Sequence, residues 1–231
     1  MTAGISGVPS KDEIGARTAQ LLFQVDAIHI SLQQPFILAA GWASPVYVDC
    51  RLLIGAPEVR RAITELAAAS IAPRFPAGTF DGIAGAETAG IPLATLLAEE
   101  MDLPLRYVRK RPLGIGRHAQ VEGGSVEGLR VLLIDDLTTD GSSKLAFARG
   151  LRSAGALVEH VLTIFYNDAF RGAVERLKET DLTLHWLAGW GDVLRSDRLP
   201  PADRSAIEHF LEDPLAWSAR HGGRGARLSR G

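Results

Sequence analysis

The first third of the chain carries apolar residues at the spacing of amphipathic helices. From Lys11 to about His29 they recur with a period of about 3.6 residues, which predicts a helix, and a second helix is predicted over 59–71. Between the two, the segment FILAAGWASPVYVDCR predicts two short strands around a glycine-containing turn. We therefore expect an N-terminal piece that mixes helix and strand.

From residue 82 onward, short apolar runs alternate with helical patterns. The predicted strands cover 82–85, 105–108, 129–134, 157–165 and 182–187, and the predicted helices cover 91–101, 142–154, 170–178 and about 204–211. Strands that alternate with helices indicate βαβ units and a parallel sheet covered on both faces. The predicted fold class is α/β: a central, mostly parallel sheet flanked by helices on both faces, with ligands bound beyond the carboxyl ends of the strands.

Length and charge limit the number of domains and the class of protein. A chain of 231 residues has room for one domain with a proper core, or for one domain with a small appendage. With 46% hydrophobic residues and a net charge of −2, the composition is that of an ordinary soluble globular protein and argues against generic nucleic-acid binding. Any anion that this protein binds must be held by a local cluster of charge.

Cysteine usage and the chain ends indicate a compartment. A single cysteine, Cys50, excludes an internal disulfide and favours a reducing cytosol, and the six histidines show no metal-binding spacing. The N-terminus has no signal-peptide pattern, and no apolar run approaches the roughly 18 residues of a membrane span. We predict a soluble, cytoplasmic protein that does not bind membranes, with a disordered tail over 221–231.

The segment Val131–Gly155 carries the strongest chemical signal. An apolar strand ends in Asp135 and Asp136, and a turn rich in hydroxyls and containing Gly141 then opens an amphipathic helix. Hydroxyl donors and the free amides of a helix N-terminus favour binding of a phosphate. Because carboxylates repel a phosphate, the acid pair needs another task, and adjacent carboxylates can accept hydrogen bonds from the 2′ and 3′ hydroxyls of a ribose.

Alternatives remain for each part of this signal. The acid pair alone is common in α/β proteins, and Ser, Thr and Asp in such turns often only cap a helix. The nine residues DDLTTDGSS together favour a ribose 5-phosphate site. The sequence Gly114–Ala119 fits a dinucleotide-binding pattern, but no buried strand precedes it, so we do not interpret it as a nicotinamide site.

A second segment carries a local cluster of positive charge. Twelve residues contain five cations and no acid: Arg106, Arg109, Lys110, Arg111 and Arg117. This segment can be a solvated basic loop. Its position beside a glycine-rich stretch with no predicted strand favours a mobile lid over a polyanion. Three tryptophans, Trp186, Trp190 and Trp217, are interpreted as core or interface anchors, and His185 as a structural histidine in a strand.

Three segments in the same order resemble the orotate phosphoribosyltransferases, a family of type I phosphoribosyltransferases. The run 135–143 resembles the motif that binds phosphoribosyl diphosphate (PRPP), 36–57 resembles the N-terminal hood signature, and 107–123 resembles the flexible catalytic loop. The similarity covers roughly 11–215 and implies one phosphoribosyltransferase domain. Its hood would lie within about 11–58, its α/β core would span about 59–215, and the tail would be disordered.

The resemblance implies a reaction and its components. The family transfers ribose 5-phosphate from PRPP to orotate, giving orotidine 5′-phosphate and diphosphate in pyrimidine biosynthesis, as a pentosyltransferase. It implies Mg²⁺ carried by the diphosphate rather than by a protein metal site, and a homodimer in which the lid reaches the neighbouring subunit.

The resemblance also implies roles for particular residues. Asp135 and Asp136 would hold the ribose hydroxyls, 138–143 the 5-phosphate, Thr139 would also lie near orotate, and Lys110 would act with the acid pair in catalysis. A diphosphate loop would use the backbone of Glu87, Thr88, Ala89 and Gly90. The implied PRPP-binding residues are Arg109, Lys110, Asp135, Asp136, Leu137, Thr138, Thr139, Asp140, Gly141, Ser142 and Ser143.

The sequence departs from the family pattern mainly in the catalytic loop. Leu113 stands where a lysine is expected and Ile115 where a histidine often lies. A lost acid or charge of this kind typically costs about 10²- to 10⁴-fold in rate. Ala39 and Ala89 replace lysines that many members carry, and 165–170 lacks an arginine that often pairs with the orotate carboxylate. Two alternatives therefore stay open: a catalytically weakened or regulatory paralogue, and a phosphoribosyltransferase with a different base acceptor.

Overall fold

A computed structural model describes residues 8–38, 40–114, 120–170 and 172–224. The first helix, α1 (Lys11–Gln24), begins with a capping box in which the Ser10 hydroxyl accepts from the Glu13 amide, and Glu13 accepts from the Ser10 amide. It ends five residues before the predicted boundary because Asp26 adopts a positive φ of 52°. The sequence prediction was wrong there, since a strand follows directly.

Four short strands form the hood. They are β1 (Ile28–Ile30), β2 (Phe36–Ile37), β3 (Ala43–Ser44) and β4 (Val46–Val48). Strand β1 pairs with β4 and β2 pairs with β3, both antiparallel. The predicted turn lies between β2 and β3, where Gly41 has a φ of 85°. The hood therefore has more strands than the two predicted, and it leads through a short 3-10 helix (Cys50–Ile54) into α2 (Pro57–Ile71).

The core follows the predicted alternation. Its elements are β5 (Gly82–Ala86), α3 (Gly90–Glu100), β6 (Leu105–Val108), β7 (Val121–Glu122), β8 (Arg130–Thr138), α4 (Ser142–Ser153), β9 (Leu157–Tyr166), α5 (Ala173–Lys178), β10 (Thr183–Gly189), α6 (Trp190–Leu194), α7 (Pro201–Glu212) and α8 (Pro214–Arg220). The six-stranded sheet has the order β10-β9-β8-β5-β6-β7, and only β7 runs antiparallel to its neighbour.

Helices cover both faces of this sheet, which confirms the predicted α/β class. Helices α1, α2 and α3 pack on the face that carries Leu132 and Ile134, whereas α4 and α5 pack on the face that carries Leu133. Leu132, Leu133 and Ile134 are fully buried, as expected for a central parallel strand.

Several element boundaries differ from the predictions. Strand β8 continues to Thr138, so the acid pair lies within the strand and not after it. The stretch after the basic segment contains the strand β7, which was not predicted because two residues are too short for a periodic signal. Helix α5 begins at Ala173 and not at residue 170, after Gly172 with a φ of 99°. The short helices α6 and α8 were also missed.

The C-terminal residues 221–224 contact the hood, contrary to the predicted disorder from residue 221. The Arg224 amide donates to the Gly41 carbonyl at 2.6 Å, and its guanidinium lies 5.2 Å from the centre of the Trp42 ring. The Ser218 hydroxyl accepts from the Ala43 amide at 3.0 Å. The rest of the predicted disordered tail, 225–231, lies outside the described residues.

Two of the three predicted aromatic anchors are buried. Trp190 packs edge-on against Phe165 and donates from Nε1 to Asn167, and Trp217 is buried beside Phe210. Trp186 is only half-buried, under the Lys11 ammonium. No helix in the described part of the chain is both long and apolar enough to cross a membrane.

Candidate active site

A cavity of about 330 Å³ opens at the carboxyl edge of the sheet, between the ends of β5 and β8 and the N-termini of α3 and α4. Its position agrees with the rule that parallel sheets bind ligands beyond their strand ends. It is lined by Ala40, Glu87, Thr88, Ala89, Lys110, Asp135, Asp136, Leu137, Thr139, Asp140, Gly141, Ser142, Ser143, Lys144 and Phe147. Most of the predicted site residues therefore lie around one cavity.

Asp135 is bound to a residue that the sequence analysis did not select. The Lys144 ammonium lies 2.5 Å from Asp135 Oδ2 and also donates to the Leu137 carbonyl. Both charged side chains are almost fully buried, with 4% exposure for Lys144 and 6% for Asp135. The carboxylate predicted to hold a ribose hydroxyl thus already has a cationic partner.

Asp136 has no ion-pair partner among the described residues. Its carboxyl lies within hydrogen-bond range of the Asp135 side chain, and both acids border the cavity. Its Oδ1 accepts from the Leu137 amide at 2.7 Å. Burial, with the neighbouring Asp135 charge as the second cause, raises the pKa of Asp136 to about 6. The group is ionised at neutral pH but is the more poorly compensated member of the pair.

The loop that joins β8 to α4 has the geometry of a phosphate-binding turn. Gly141 occupies the N-cap position of α4 with a φ of 79°, which glycine adopts without strain. Asp140 accepts from both the amide and the hydroxyl of Ser142, at 3.0 and 2.9 Å. Arg176 donates to the Asp140 carbonyl at 2.7 Å and so holds the loop against α5.

Thr138 differs from its predicted place in this loop. It is the last residue of β8, is 1% exposed and is absent from the cavity lining. Its hydroxyl has no hydrogen-bond partner among the described residues. Of the predicted phosphate loop, therefore, only 139–143 lines the cavity.

The segment Glu87–Gly90 forms the opposite wall. A Cβ on Gly90 would lie 2.9 Å from the Asp135 Cα and would also collide with the Ile134 carbonyl, so only glycine lets α3 approach β8 this closely. Glu87 Oε2 accepts from the Lys110 amide at 2.8 Å. This bond fastens the start of the basic segment to the wall.

The predicted cationic cluster is partly neutralised by acids from elsewhere in the chain. Arg109 Nε lies 3.1 Å from Glu122 Oε1, and its Nη1 lies 3.6 Å from Glu87 Oε1. Arg109 does not line the cavity, whereas Lys110 does. Arg106 donates to the backbone carbonyls of Leu105 and Ser125 and is likewise directed elsewhere.

Comparison with known proteins assigns the chain to a protein family. A family model for the phosphoribosyl transferase domain matches residues 54–181. An orotate phosphoribosyltransferase from Sinorhizobium medicae is 45% identical over 216 residues, which are 92% of this chain and 93% of that protein. The chain belongs to the orotate phosphoribosyltransferase family.

Solved structures agree with this membership. An orotate phosphoribosyltransferase from Aeropyrum pernix matches with a TM-score of 0.65 and 28% identity, over 77% of this chain and 96% of that one. A UMP synthase from Leishmania donovani matches with a TM-score of 0.72 and 27% identity, over 85% of this chain. This chain spans 42% of the length of that synthase.

Some of the positions that depart from the family pattern lie within the described residues. Leu113 is 63% exposed on the basic segment. Ala89 is the N-cap residue of α3 and carries no side-chain cap. Ala39 and the stretch 115–119, which includes Ile115 and Arg117, lie outside the described residues. All of the dismissed dinucleotide pattern except Gly114 therefore lies outside them as well.

Lys144 is the functional candidate that sequence reasoning missed. It lies three, four and seven residues before Phe147, Ala148 and Leu151, which are buried on α4. A lysine on the buried stripe of an amphipathic helix, shortly after two adjacent acids, was the available signal. The pattern alone is weak because lysines are mostly exposed, even on amphipathic helices.

Proposed function

We propose that this chain transfers the ribose 5-phosphate group of PRPP to orotate, giving orotidine 5′-phosphate and diphosphate. The observation that supports this most strongly is the combination, in one cavity, of the acid pair, the loop 139–143 and the α3 N-terminus, in a member of the orotate phosphoribosyltransferase family. The relatives described above give no support to a regulatory paralogue or to another acceptor base.

The cavity suggests an arrangement for PRPP. The 5-phosphate would lie against the loop 139–143, where the N-terminus of α4 offers free amides and the hydroxyls of Thr139 and Ser143 are available. The ribose would lie over Asp135 and Asp136. The diphosphate would extend toward 87–90 and Lys110, and Thr139 would also border the base.

The reaction exchanges one bond at ribose C1 for another. A pyrimidine nitrogen of orotate forms a bond to C1 as the bond from C1 to the diphosphate oxygen breaks. The electron pair of the broken bond leaves with the diphosphate, and the proton of the orotate N–H passes to the diphosphate or to water. Because the transition state resembles an oxocarbenium ion, catalysis consists mainly of orienting the reactants and neutralising the departing anion. Lys110 is the described cation of the basic segment that borders the cavity.

Mg²⁺ would enter with the diphosphate. Within the described residues, no group of three or more His, Cys, Asp or Glu side chains could hold a metal ion. When bound, this hard cation would be held chiefly by diphosphate oxygens and water, and it would neutralise the leaving group. The residues present would need to supply at most one or two oxygen ligands.

The proposed function also has consequences for domain organisation, compartment and oligomeric state. We propose one phosphoribosyltransferase domain, with its hood within 11–58 and its core in 59–215. It would act in the cytoplasm as a homodimer, with the basic segment closing over PRPP near the partner subunit. Arg109, held by Glu87 and Glu122, would have to leave these acids to reach the diphosphate.

The direct test is a product assay with a panel of bases. Purified protein is incubated with PRPP, Mg²⁺ and orotate, uracil, adenine or hypoxanthine in turn, and nucleotide and diphosphate are quantified. The proposal predicts equal amounts of orotidine 5′-phosphate and diphosphate with orotate, and no nucleotide with the other bases. Folded protein that forms no product with orotate, or prefers another base, would refute it.

A further inference from the structure

A second cavity, of about 640 Å³, opens at the amino edge of the sheet, between the C-termini of α2 and α3 and the segment 75–80. Phe80 and Leu103, which border it, lie two residues before β5 and β6. Helix α3 has 11 residues and is therefore about 16 Å long. Its N-cap residue, Ala89, borders the catalytic cavity, and its C-cap residue, Met101, borders this amino-edge cavity. The two cavities therefore lie at opposite ends of one helix.

The walls of the amino-edge cavity are mainly apolar. Alanines on the last turns of α2 leave the space open, and Ile71, Met101 and Leu103 contribute larger apolar side chains. Phe75 and Phe80 add an aromatic wall, with ring centres 5.0 Å apart. The volume lies within the range of about 300–1,000 Å³ that is usual for small-molecule sites. Such a cavity suits a ligand with a flat, apolar body.

The charged groups that line this cavity are both acidic. Glu65 comes from α2 and Glu100 from α3, and both are exposed. Neither carboxylate has a hydrogen bond or an ion pair with another described residue. No Lys, Arg or His belongs to the described lining, and Arg74, which follows α2, donates to His185. The cavity thus has two negative charges without a cationic partner.

The two helix ends add negative charge of their own. The C-terminus of a helix carries a partial negative charge of about half an elementary charge, which a basic side chain in the last turn usually offsets. Neither α2 nor α3 has a basic residue in its last turn. Ala72 and Met101, the C-cap residues of the two helices, both border the cavity. Carboxylates and helix ends therefore favour a positively charged ligand.

We propose that the amino-edge cavity binds an organic cation, an amine with a flat apolar body. The body lies against the rings of Phe75 and Phe80, and the ammonium lies at the rim near Glu65 and Glu100. A small inorganic cation would leave the apolar walls in contact with water, and a neutral apolar molecule would leave the acidic rim without a partner. The proposal does not depend on the reaction at the other edge of the sheet.

The test is a calorimetric titration of the purified full chain with three indole compounds of nearly the same shape. Tryptamine ends in an ammonium, indole-3-ethanol in a hydroxyl and indole-3-propionate in a carboxylate. We expect one tryptamine bound per chain, about tenfold or more tightly than indole-3-ethanol, because the ammonium donates to ionised partners. Indole-3-propionate should not bind. Adding PRPP and Mg²⁺ should leave the number of tryptamine sites unchanged, since the catalytic cavity lies at the other edge.

Variants locate the site and its charge. Glu65→Gln combined with Glu100→Gln should weaken tryptamine binding about tenfold or more and leave the affinity for indole-3-ethanol within about twofold. The control, Glu58→Gln with Glu99→Gln, removes two charges from the same two helices at exposed positions outside the cavity, and should bind both compounds as wild type does. Ala69→Leu enlarges a side chain of the wall and should abolish binding of both compounds.

Three results would overturn the proposal. One is a native protein that binds no tryptamine below about 1 mM, which includes a cavity covered by a second copy of the chain. The second is an equal affinity for tryptamine and indole-3-ethanol, since the cavity would then not select a cation. The third is loss of the tryptamine site when PRPP is added, which would place the amine in the catalytic cavity. If Ala69→Leu does not fold, the two glutamate double variants decide. These titrations contain no orotate, so the proposed function can fail without affecting them.

Discussion

Asp136 is ionised at neutral pH although it is partly buried, because its pKa of about 6 still lies below 7. A raised carboxyl pKa means that the folded state binds the proton more tightly than the unfolded chain does. The charged group therefore lowers the free energy of unfolding above pH 6, and this cost is relieved as the pH falls from 6 toward 4.

Removing this charge should stabilise the protein and abolish sugar binding at the same time. We expect Asp136→Asn to raise the free energy of unfolding at pH 7 by on the order of 2 kcal/mol, or roughly 4–8 °C in Tm. Calorimetry measures both the Tm and PRPP binding. Asp197→Asn, at an exposed position, is the control and should change neither. A lower Tm for Asp136→Asn would contradict the account.

The pair His160 and His185 gives the opposite pH dependence. The rings lie side by side on β9 and β10, with His185 Nε2 3.2 Å from His160 Nδ1 and Arg74 3.3 Å from His185 Nδ1. Burial is the largest cause that lowers the pKa of His185 to about 4, and the neighbouring His160 and Arg74 contribute in the same direction. His185 is thus neutral and structural, in agreement with the sequence prediction.

This depressed pKa predicts an acid-sensitive contribution to stability. The contribution is fully present above the unfolded pKa of about 6.5 and is lost as the pH falls from there toward 4. We expect the Tm of wild type to fall more than the Tm of His185→Phe when the pH is lowered from 7 to 4.5. A difference that does not change with pH would show that His185 does not titrate in this range.

At the scale of single elements, the approach of α3 to β8 depends on Gly90. A methyl group there would meet the backbone of Ile134 and Asp135, which cannot move aside as a flexible side chain can. We expect Gly90→Ala to lower PRPP affinity at least tenfold and to reduce stability by about 1–3 kcal/mol, as overpacking does. In the control Gly191→Ala, the new methyl group meets only the end of the Arg195 side chain, and affinity should be unchanged.

The basic segment supplies a second prediction at this scale. Leu113 is exposed at the position where the family resemblance implies a lysine, so an ammonium can be added there without disturbing the core. We expect Leu113→Lys to raise kcat with orotate by about tenfold or more. Leu157→Lys adds the same charge at an exposed position at the start of β9 and should leave kcat unchanged. Equal kcat values for all three proteins would show that the loop lysine is not limiting.

The sequence predicts those parts of the site that lie in one continuous segment, but not the contacts between distant segments. The run 135–143 predicted most of the cavity rim, because an apolar strand followed by a hydroxyl-rich turn and a helix is a local pattern. The pairing of Asp135 with Lys144 could not be read from it, since that contact depends on β8 continuing to Thr138 before α4 folds back. The ion pairs of Arg109 with Glu87 and Glu122 could not be predicted either, because only the assembled sheet brings these three residues together.

For the whole molecule, the C-terminal residues hold the hood in place over the core. Ser218 is completely buried, accepts from the Ala43 amide and donates to the Arg224 carbonyl at 3.3 Å. Ser218→Ala would leave a buried amide unpaired, at a cost of about 1–3 kcal/mol.

We therefore expect Ser218→Ala to lower the Tm by several degrees and to raise the KM for orotate more than it lowers kcat, since the hood borders the cavity at Ala40. The control is Ser153→Ala, at the exposed end of α4, which should leave both constants as in wild type. A Tm and KM unchanged in Ser218→Ala would mean that the hood is held by other contacts.

The account depends most on PRPP binding in the cavity between β5, β8 and α4, with its ribose over the acid pair. A crystal structure of the wild-type protein with PRPP and Mg²⁺ tests it most directly. We predict the 5-phosphate against the amides of the loop 139–143 and the ribose hydroxyls within hydrogen-bond distance of Asp135 and Asp136. A phosphate bound elsewhere, or ribose hydroxyls that contact neither Asp135 nor Asp136, would contradict the account.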